Sequence, residues 1–322
     1  MDLGGTKLSA AIFGDEGQLL SETLVPLEGR QGIDVGNLIT AEAWKMLSSY
    51  SGSHGRITGI GICVPGIYNP STGEVWAPNI AGWEKFPLRK KITAAFKNEK
   101  ISVSIDSDRT CSILGETWKG NARNCRDAIF LAVGTGIGAG IMCDGRIIRG
   151  HAGIAGAAGW MALDPEFKDK YQNCGYFEYH ASGEGIVKTA NEFLSRGEAS
   201  GPARSDTDAS PEPFESTRQV FDALEKGDPA ASWALDMAVK CWGMASANLV
   251  SVFNPEIIIF GGGIFGPATR FLDEIRREAE RWAQPLSMKQ VRFEASSLGG
   301  TAGLSGAGKL ALMAGEEGDG IG

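Results

Sequence analysis

Apolar and polar positions alternate along the chain in short runs that predict strands separated by helices. Residues 7–13 and 19–25 form two strand-like runs joined by a turn. Residues 35–50 instead carry apolar side chains at helical spacing. Further on, GIGICVPG and ISVSID are typical of strands, and RTCSILGETWKG is typical of a helix. This alternation predicts an α/β fold.

The second half of the chain begins again in the same style. AIFLAVGTGIGAGIMCDGRII predicts a strand, a glycine turn, a second strand, an Asp-Gly hairpin turn and a third strand. It parallels DLGGTKLSAAIF near the start, because in both segments a glycine-rich turn stands ahead of a β-hairpin. We therefore expect an internal repeat of two related α/β halves.

Three helices are predicted in the last third of the chain, and the second of them follows a strand and a glycine turn in EIIIFGGGIFGPATRFLDEIRREAERWA. The first runs over about 229–250, with Asp228 as its N-cap and Pro229 at its first position. The last segment, about 299–313, begins with a glycine-rich bend at 299–308 and ends as a short helix. We expect this closing helix to pack back on the first domain.

Composition and charge narrow the possible partners. The 322 residues suffice for two domains, and 43% hydrophobic with 22% charged residues is ordinary for a globular protein. The net charge of −8 argues against nucleic-acid and membrane partners. No apolar run of about 18 residues and no signal peptide is present. The six cysteines are scattered, which predicts reduced thiols and a cytoplasmic protein.

Three glycine clusters are candidates for phosphate binding, because exposed backbone N–H groups in such turns cradle anions. They lie at residues 4–7, 134–138 and 261–263. A Walker A motif is excluded, and GTGIGA precedes a strand rather than the helix that a Rossmann fingerprint requires. Each cluster could be only a tight turn. A nucleotide held between two halves explains all three together.

Several motifs, taken in order, resemble those of ROK-family sugar kinases: DLGGTK, PNIAGW, DSDRTCSILGE, VGTGIGAGIM, FEYHASG and NPEIIIFGGG. This glucokinase-like family belongs to the actin/hexokinase/Hsp70-like superfamily. The resemblance implies two ribonuclease-H-like (actin-like ATPase) domains, at 1–115 and 116–322, with a cleft between them. It also implies ATP and Mg²⁺ as cofactors and transfer of a phosphoryl group to a sugar hydroxyl.

The resemblance assigns Asp108 as the catalytic base, since a nearby carboxylate can take the proton of the attacking hydroxyl. The alternative is that Asp108 only caps the helix that follows it. Asp2 is expected near the metal and phosphates. The predicted ATP-binding residues are Asp2, Gly4, Gly5, Thr6, Lys7, Gly134, Thr135, Gly136, Gly262 and Gly263.

The same resemblance predicts a set of sugar-binding residues, which are Gly66, Asn79, Ser107, Asp108 and Glu178. Trp160, which departs from the family pattern, is added as a separate hypothesis for sugar binding. Asn79 could equally be a turn residue, and Lys7 could be an ordinary exposed strand lysine. Trp160 could be an aromatic platform for a sugar face or a core tryptophan. We expect Glu178 at the head of a helix that begins near ASGEG and also carries His180, without a chemical role for His180.

The sequence departs from the family pattern at four places. Ala157 stands where the family has a sugar-contacting glutamate, and Trp160 where it has a histidine that serves zinc and sugar. The usual cysteine cluster is missing, with Tyr176 in the place of one cysteine, so no zinc is expected. Ser107 replaces an asparagine. Only Met1 precedes Asp2, so either the start is misassigned or the first strand is truncated.

Two functions are compatible with these residues. The leading prediction is ATP-dependent phosphorylation of a hexose or hexosamine hydroxyl, with the sugar unspecified. The alternative is a catalytically weak sugar- or nucleotide-binding regulator without a DNA-binding domain. A homodimer is expected by analogy with the family alone.

Overall fold

The computed structural model describes residues 1–50, 56–196 and 212–319. The chain forms two compact units. The first comprises Met1–Cys125, Gly140–Gly156 and Ser296–Gly322, and the second comprises Arg126–Ala139 and Ala157–Ala295. The simpler division at residue 115 stays a prediction.

The first sheet has the strand order β3-β2-β1-β4-β7. Strands β1 and β2 are antiparallel, whereas β4 runs parallel to both β1 and β7. A small hairpin of β5 and β6 follows β4. The strands are β1 (Asp2–Leu3), β2 (Lys7–Phe13), β3 (Leu19–Pro26), β4 (Gly59–Val64), β5 (Ile67–Asn69), β6 (Glu74–Trp76) and β7 (Ser102–Ser107).

Helices cover this sheet with the faces that the sequence pattern predicts. In α1 (Gly32–Tyr50) the buried side chains include Val35, Ile39, Ala43 and Met46, which recur at helical spacing. The unit also contains α2 (Leu88–Ala95), α3 (Asp108–Lys119) and α10 (Ala302–Asp319). Strand β2 alternates buried and partly exposed residues, as expected for a strand with one face on the core.

The central strand β1 has only two residues. The Met1 amino group donates a hydrogen bond of 2.8 Å to the Gly61 carbonyl, and burial lowers its pKa. Beyond Met1, a cavity of about 780 Å³ is lined by residues of β2, β4, α1 and α10.

The prediction of a glycine-rich bend at 299–308 and a short helix was wrong. Only residues 299–301 form a 3₁₀ turn, and α10 then runs to Asp319. Its glycines serve close packing on α3 and β2. A side chain at Gly306 would lie 1.6 Å from the Cys111 carbonyl oxygen, and one at Gly308 would collide with the Phe13 ring.

The second sheet has the order β10-β9-β8-β11-β12, which matches the first position by position. The strands are β8 (Ala128–Val133), β9 (Ile137–Cys143), β10 (Arg146–Ile147), β11 (Ile257–Gly261) and β12 (Arg292–Ala295). Asp144 and Gly145 have φ of 50° and 72° and form the predicted hairpin turn. The matching strand orders support the internal repeat.

The second unit carries the remaining helices. They are α4 (Gly175–Ala181), α5 (Gly183–Ser195), α6 (Thr217–Leu224), α7 (Pro229–Phe253), α8 (Leu272–Glu280) and α9 (Pro285–Gln290). Asp228 caps α7 as predicted, since its carboxylate accepts hydrogen bonds from Ala230 N and Ala231 N at 2.9 and 3.0 Å. Among the described residues, none of the helices is both long and apolar enough to cross a membrane.

Candidate active site

Asp108 is the first residue of α3, directly after β7. The helix is capped by Ser107, whose hydroxyl oxygen accepts a hydrogen bond of 3.3 Å from Thr110 N. The alternative reading of Asp108 as the N-cap is therefore wrong. Its Oδ1 accepts from Arg109 N at 2.8 Å, and its side chain is exposed to solvent.

Ser107 is itself 4% exposed, and its hydroxyl also donates to Thr110 Oγ1 at 3.2 Å. Both bonding directions of this hydroxyl are used within the turn. A direct sugar contact of Ser107 stays a prediction, and its observed contacts are those of the cap.

An ion pair between the buried Asp106 and the partly exposed Arg149 fixes the strand end that precedes Asp108. Asp106 is 5% exposed, and its Oδ2 accepts a 2.7 Å hydrogen bond from Arg149 Nε, while its Oδ1 accepts from Ser107 N at 2.8 Å. A buried carboxylate that is paired and hydrogen-bonded in this way holds its neighbours in one geometry. The sequence did not reveal this pair, because Arg149 lies 43 residues from Asp106.

The carboxyl of Asp108 has an unusual acidity. Solvent reaches its side chain, yet the surrounding protein atoms remove much of its hydration, and this desolvation raises its pKa to about 6. The positive charge and backbone N–H of Arg109 act against the rise, and the charge of Asp2 adds to it. An accessible carboxyl with a pKa near neutrality suits proton transfer.

The first glycine turn is an exposed loop closed by a hydrogen bond of 2.9 Å from Gly4 N to the Lys7 carbonyl. Gly5, Thr6 and Lys7 are exposed, so their backbone and side chains are accessible to an anion. The partly buried Asp2 lies beside α10, where a side chain at Gly303 would come within 2.9 Å of the Asp2 carboxylate. Gly303 thus leaves room for a carboxylate that could serve as an oxygen ligand of Mg²⁺.

Asn79 lies near this turn, in a loop closed by the hydrogen bond from Ala77 N to Trp83 O at 2.8 Å. A side chain built on Gly5 would be 3.8 Å from Asn79 Cβ, and Asn79 is exposed. Gly66 has φ of 109°, and a side chain there would lie 2.3 Å from the Trp76 carbonyl oxygen. Glycine is therefore required at residue 66.

In the second unit, the glycine turn at 134–136 is closed by Gly134 N donating to the Gly136 carbonyl at 2.9 Å. The start of α5 contacts it, since Gly183 N donates to the Gly134 carbonyl at 2.7 Å. Gly262, with φ of 89°, lies against Val133, where a side chain would come within 2.3 Å of the carbonyl oxygen. The second and third glycine clusters are therefore neighbours, and Thr135, Gly136, Gly262 and Gly263 are all exposed.

Glu178 lies on α4 and contacts the same turn. Its Oε2 accepts a 2.6 Å hydrogen bond from Ile137 N, and side chains at Gly136 or Gly159 would come within 2.7 and 2.8 Å of it. Burial raises the pKa of this half-buried carboxyl, while the Ile137 bond lowers it. The expected single helix near ASGEG is wrong, because α4 ends at Ala181 and Ser182 caps a separate α5.

Trp160 is 57% exposed, so the reading as a core tryptophan is wrong. It ends a 3₁₀ turn (Ala158–Trp160) whose Gly159 packs on Glu178. Its backbone lies against Gly175, since a side chain at that glycine would meet Trp160 Cα at 2.5 Å. The exposed indole is therefore carried by a well-packed turn next to Glu178.

The residues that take the place of the family's zinc motif do not fit a zinc ion. Both ring nitrogens of His180 are engaged by hydroxyl groups, Tyr171 Oη at 3.0 Å and Thr189 Oγ1 at 3.1 Å. Glu178 bonds Ile137, and Cys174 has no cysteine beside it in sequence. No group of three or more His, Cys, Asp or Glu within the described ranges could hold a metal ion.

A family model described as the ROK family matches residues 1–314. The chain belongs to the ROK family. A glucokinase of Halalkalibacterium halodurans is 32% identical to it over 317 residues, which cover 96% of this chain and 93% of that protein. The glucokinase-like resemblance predicted from the motifs is therefore confirmed.

Solved structures agree with this ROK assignment. A ROK hexokinase from Thermus thermophilus has a TM-score of 0.80 at 28% identity, covering 98% of each chain. A ROK glucokinase from Streptomyces griseus, in complex with glucose and AMPPNP, has a TM-score of 0.70 at 28% identity and covers 97% of this chain and 98% of that one. They confirm the predicted actin-like α/β fold and support a carbohydrate kinase whose sugar is unspecified.

Proposed function

We propose that this ROK protein transfers the γ-phosphoryl group of ATP to a hydroxyl of a hexose or hexosamine. The observation that carries the proposal is Asp108, an accessible carboxyl in the first turn of α3, where Ser107 and not Asp108 is the N-cap. Its pKa of about 6 leaves it mostly ionised at neutral pH. It can therefore accept the proton of a sugar hydroxyl as the oxygen attacks phosphorus.

The groups around Asp108 support this role as a general base. The Asp106–Arg149 pair holds the end of β7, and the Ser107 cap fixes the first turn of α3. Together they limit the positions that the Asp108 carboxylate can take, which favours a geometry ready for proton transfer. Arg149 and Asp106 are positioning residues in this proposal, since neither needs to touch the sugar.

The exposed turn at 4–7 is proposed to bind the phosphates of ATP through backbone N–H groups, Thr6 and Lys7. The turns at 134–136 and 262–263 are assigned to the nucleotide in the same way. Asp2 is the carboxylate that would face Mg²⁺. When bound with ATP, Mg²⁺ neutralises charge that develops on the phosphate oxygens.

For the sugar, we propose Glu178, Asn79, Trp160 and the backbone at Gly66. Glu178 uses Oε2 for the Ile137 N–H, so Oε1 remains as an acceptor for a sugar hydroxyl. The exposed Trp160 offers an aromatic face where the family has a histidine, and Ala157 cannot supply the hydrogen bond of the family's glutamate. A sugar different from that of a typical glucokinase is the consequence we draw.

A coupled assay of ADP release over a panel of hexoses and N-acetylhexosamines tests the proposal. We expect at least one sugar to stimulate ATP consumption, and the stimulation to disappear in Asp108→Ala. Stimulation that survives this substitution would sink the assignment of Asp108. Sugar binding without stimulation by any sugar in the panel would instead support the regulator.

A further inference from the structure

A network of polar and aromatic side chains, buried at its centre and partly exposed at its edge, occupies the segment between residues 168 and 192. At its centre is His180 on α4, which is 6% exposed. One ring nitrogen lies 3.0 Å from Tyr171 Oη, in the 3₁₀ turn Asp169–Tyr171, and the other lies 3.1 Å from Thr189 Oγ1 on α5. These two bonds tie three successive elements together.

A second set of bonds extends the same network. Glu192 of α5 accepts hydrogen bonds from Lys170 Nζ at 2.8 and 3.0 Å and from Tyr179 Oη at 2.5 Å. The Tyr171 ring contacts those of Tyr179 and His180 edge-on, with centroids 5.4 and 5.6 Å apart. A hydrogen-bonded network with a buried, satisfied centre favours a single arrangement of the elements it joins.

The charge state of His180 is consistent with this arrangement. Burial lowers its pKa to about 4, with the charge of Lys170 acting in the same direction. The ring is therefore neutral near pH 7, and each nitrogen faces a hydroxyl that can donate or accept.

Helix α4 links this network to Glu178. His180 and Glu178 are two positions apart on the helix, so their side chains leave it in opposite directions. The network holds the His180 side, while Glu178 contacts Ile137 on the turn that follows β8. Trp242 Nε1 also donates to the Ala181 carbonyl at 3.1 Å and anchors the end of α4.

We propose that this network, defined as Lys170, Tyr171, Tyr179, His180, Thr189 and Glu192, positions α4 and thereby Glu178 without a metal ion. The consequence for sugar binding rests on the proposed function of Glu178. The consequence for the position of α4 does not.

The direct test is hydrogen–deuterium exchange of the ligand-free protein with the substitution His180→Phe. Phenylalanine keeps an aromatic ring but leaves the hydroxyls of Tyr171 and Thr189 without their buried partner. We expect faster exchange of the Ile137 amide and of α4, while β11 stays protected. Unchanged exchange at Ile137 in a folded variant would overturn the proposal, whether or not the protein phosphorylates a sugar.

Kinetics separate positioning from general damage. In His180→Phe we expect the KM for the sugar found in the panel to rise roughly tenfold, because Glu178 is displaced. The KM for ATP and kcat should change less than twofold. Equal rises of both KM values, or no rise in the sugar KM, would contradict a positioning role. Thr40→Val, which removes a part-buried 2.9 Å hydrogen bond to Gly36 O on α1 of the first unit, is the control.

A triple variant keeps the proposal testable if the single substitution His180→Phe does not fold. Tyr171→Phe, His180→Phe and Thr189→Val together remove all three polar partners, so no hydroxyl is left unpaired and the Tm should recover. The raised sugar KM should persist, because the directional bonds are gone. Recovery of the wild-type KM would show that packing alone positions α4 and would overturn the proposal.

Metal analysis completes the test. We expect far less than one zinc per chain, and a Tm that 1,10-phenanthroline does not change. One zinc per chain, together with a fall in Tm on chelation, would overturn the claim of a metal-free arrangement.

Discussion

The two sheets share one strand order, yet they present different chemistry around their glycine turns. In the first sheet, three carboxylates gather around the ends of β1 and β7, namely Asp2, Asp106 and Asp108. In the second sheet, the turns that follow β8 and β11, at 134–136 and 261–263, contain glycine and threonine and carry no charge.

This difference suggests different chemical roles for the two related sheets. Carboxylates can move protons and bind a metal ion, whereas neutral glycine turns offer backbone N–H groups to anions. The second unit contributes the proposed recognition residue Glu178, which lies on a helix outside the repeated sheet. We therefore expect substitution of Asp108 in the first unit to affect kcat, and substitution of Glu178 to affect KM.

The largest effect should come from Asp108→Asn, which removes the proposed base and keeps the shape of the side chain. We expect kcat to fall by roughly 10²–10⁴-fold, the usual contribution of a general base. Steady-state ADP release with saturating sugar and ATP measures it. Asp222→Asn, an exposed carboxyl on α6, is the control and should retain wild-type kcat.

Glu178→Gln should have the second-largest effect, and it should act mainly on the KM for the sugar rather than on kcat. The amide can still accept from Ile137 N, but it loses the charge that strengthens a bond to a sugar hydroxyl. We expect kcat/KM for the sugar to fall roughly tenfold, mainly through KM. Glu184→Gln, at an exposed position on α5, should leave both parameters unchanged. A fall confined to kcat would contradict the proposal that Glu178 serves sugar recognition rather than the chemical step.

The pH dependence should follow the raised pKa of Asp108. The base acts only when ionised, so activity should be lost as the pH falls through about 6. At pH 5, kcat/KM should be about tenfold below its plateau, because one proton inactivates the carboxylate. An acidic limb near pH 4 would mean that desolvation of Asp108 is weaker than the structure indicates.

The smallest effect is expected from Trp160→Ala. The loss of a sugar-stacking face should raise the sugar KM a few-fold, roughly the value of an exposed aromatic contact, with kcat unchanged. Trp282 is a close control, since it is 59% exposed in the same unit, and Trp282→Ala should change neither parameter. An unchanged sugar KM in folded Trp160→Ala would exclude the platform.

The sequence was most informative where one local signal determines the structure. Asp228 before Pro229 set the start of α7, and the Asp-Gly pair at 144–145 set a hairpin turn. The order of motifs along the chain also sufficed to place Asp108 between β7 and α3, because the end of a buried strand ahead of a helix is a defined place in the fold.

Features that depend on distant contacts were not predictable. Glycines 303, 306 and 308 resemble a bend in sequence, but they lie in α10, where Asp2, Cys111 and Phe13 respectively pack against them. The exposure of Trp160 and the Asp106–Arg149 pair likewise depend on residues far apart in sequence. The sequence predicted no chemical role for His180, because nothing in the sequence indicates that Tyr171 and Thr189 are its hydrogen-bond partners.

The decisive measurement is titration calorimetry of Asp108→Asn with the sugar that the wild type phosphorylates fastest. We expect a Kd within about twofold of the wild-type value, together with a loss of turnover of roughly 10²–10⁴-fold. Loss of sugar binding in a folded Asp108→Asn, or turnover close to that of the wild type, would contradict the claim that this carboxylate performs the chemistry while Glu178 performs recognition.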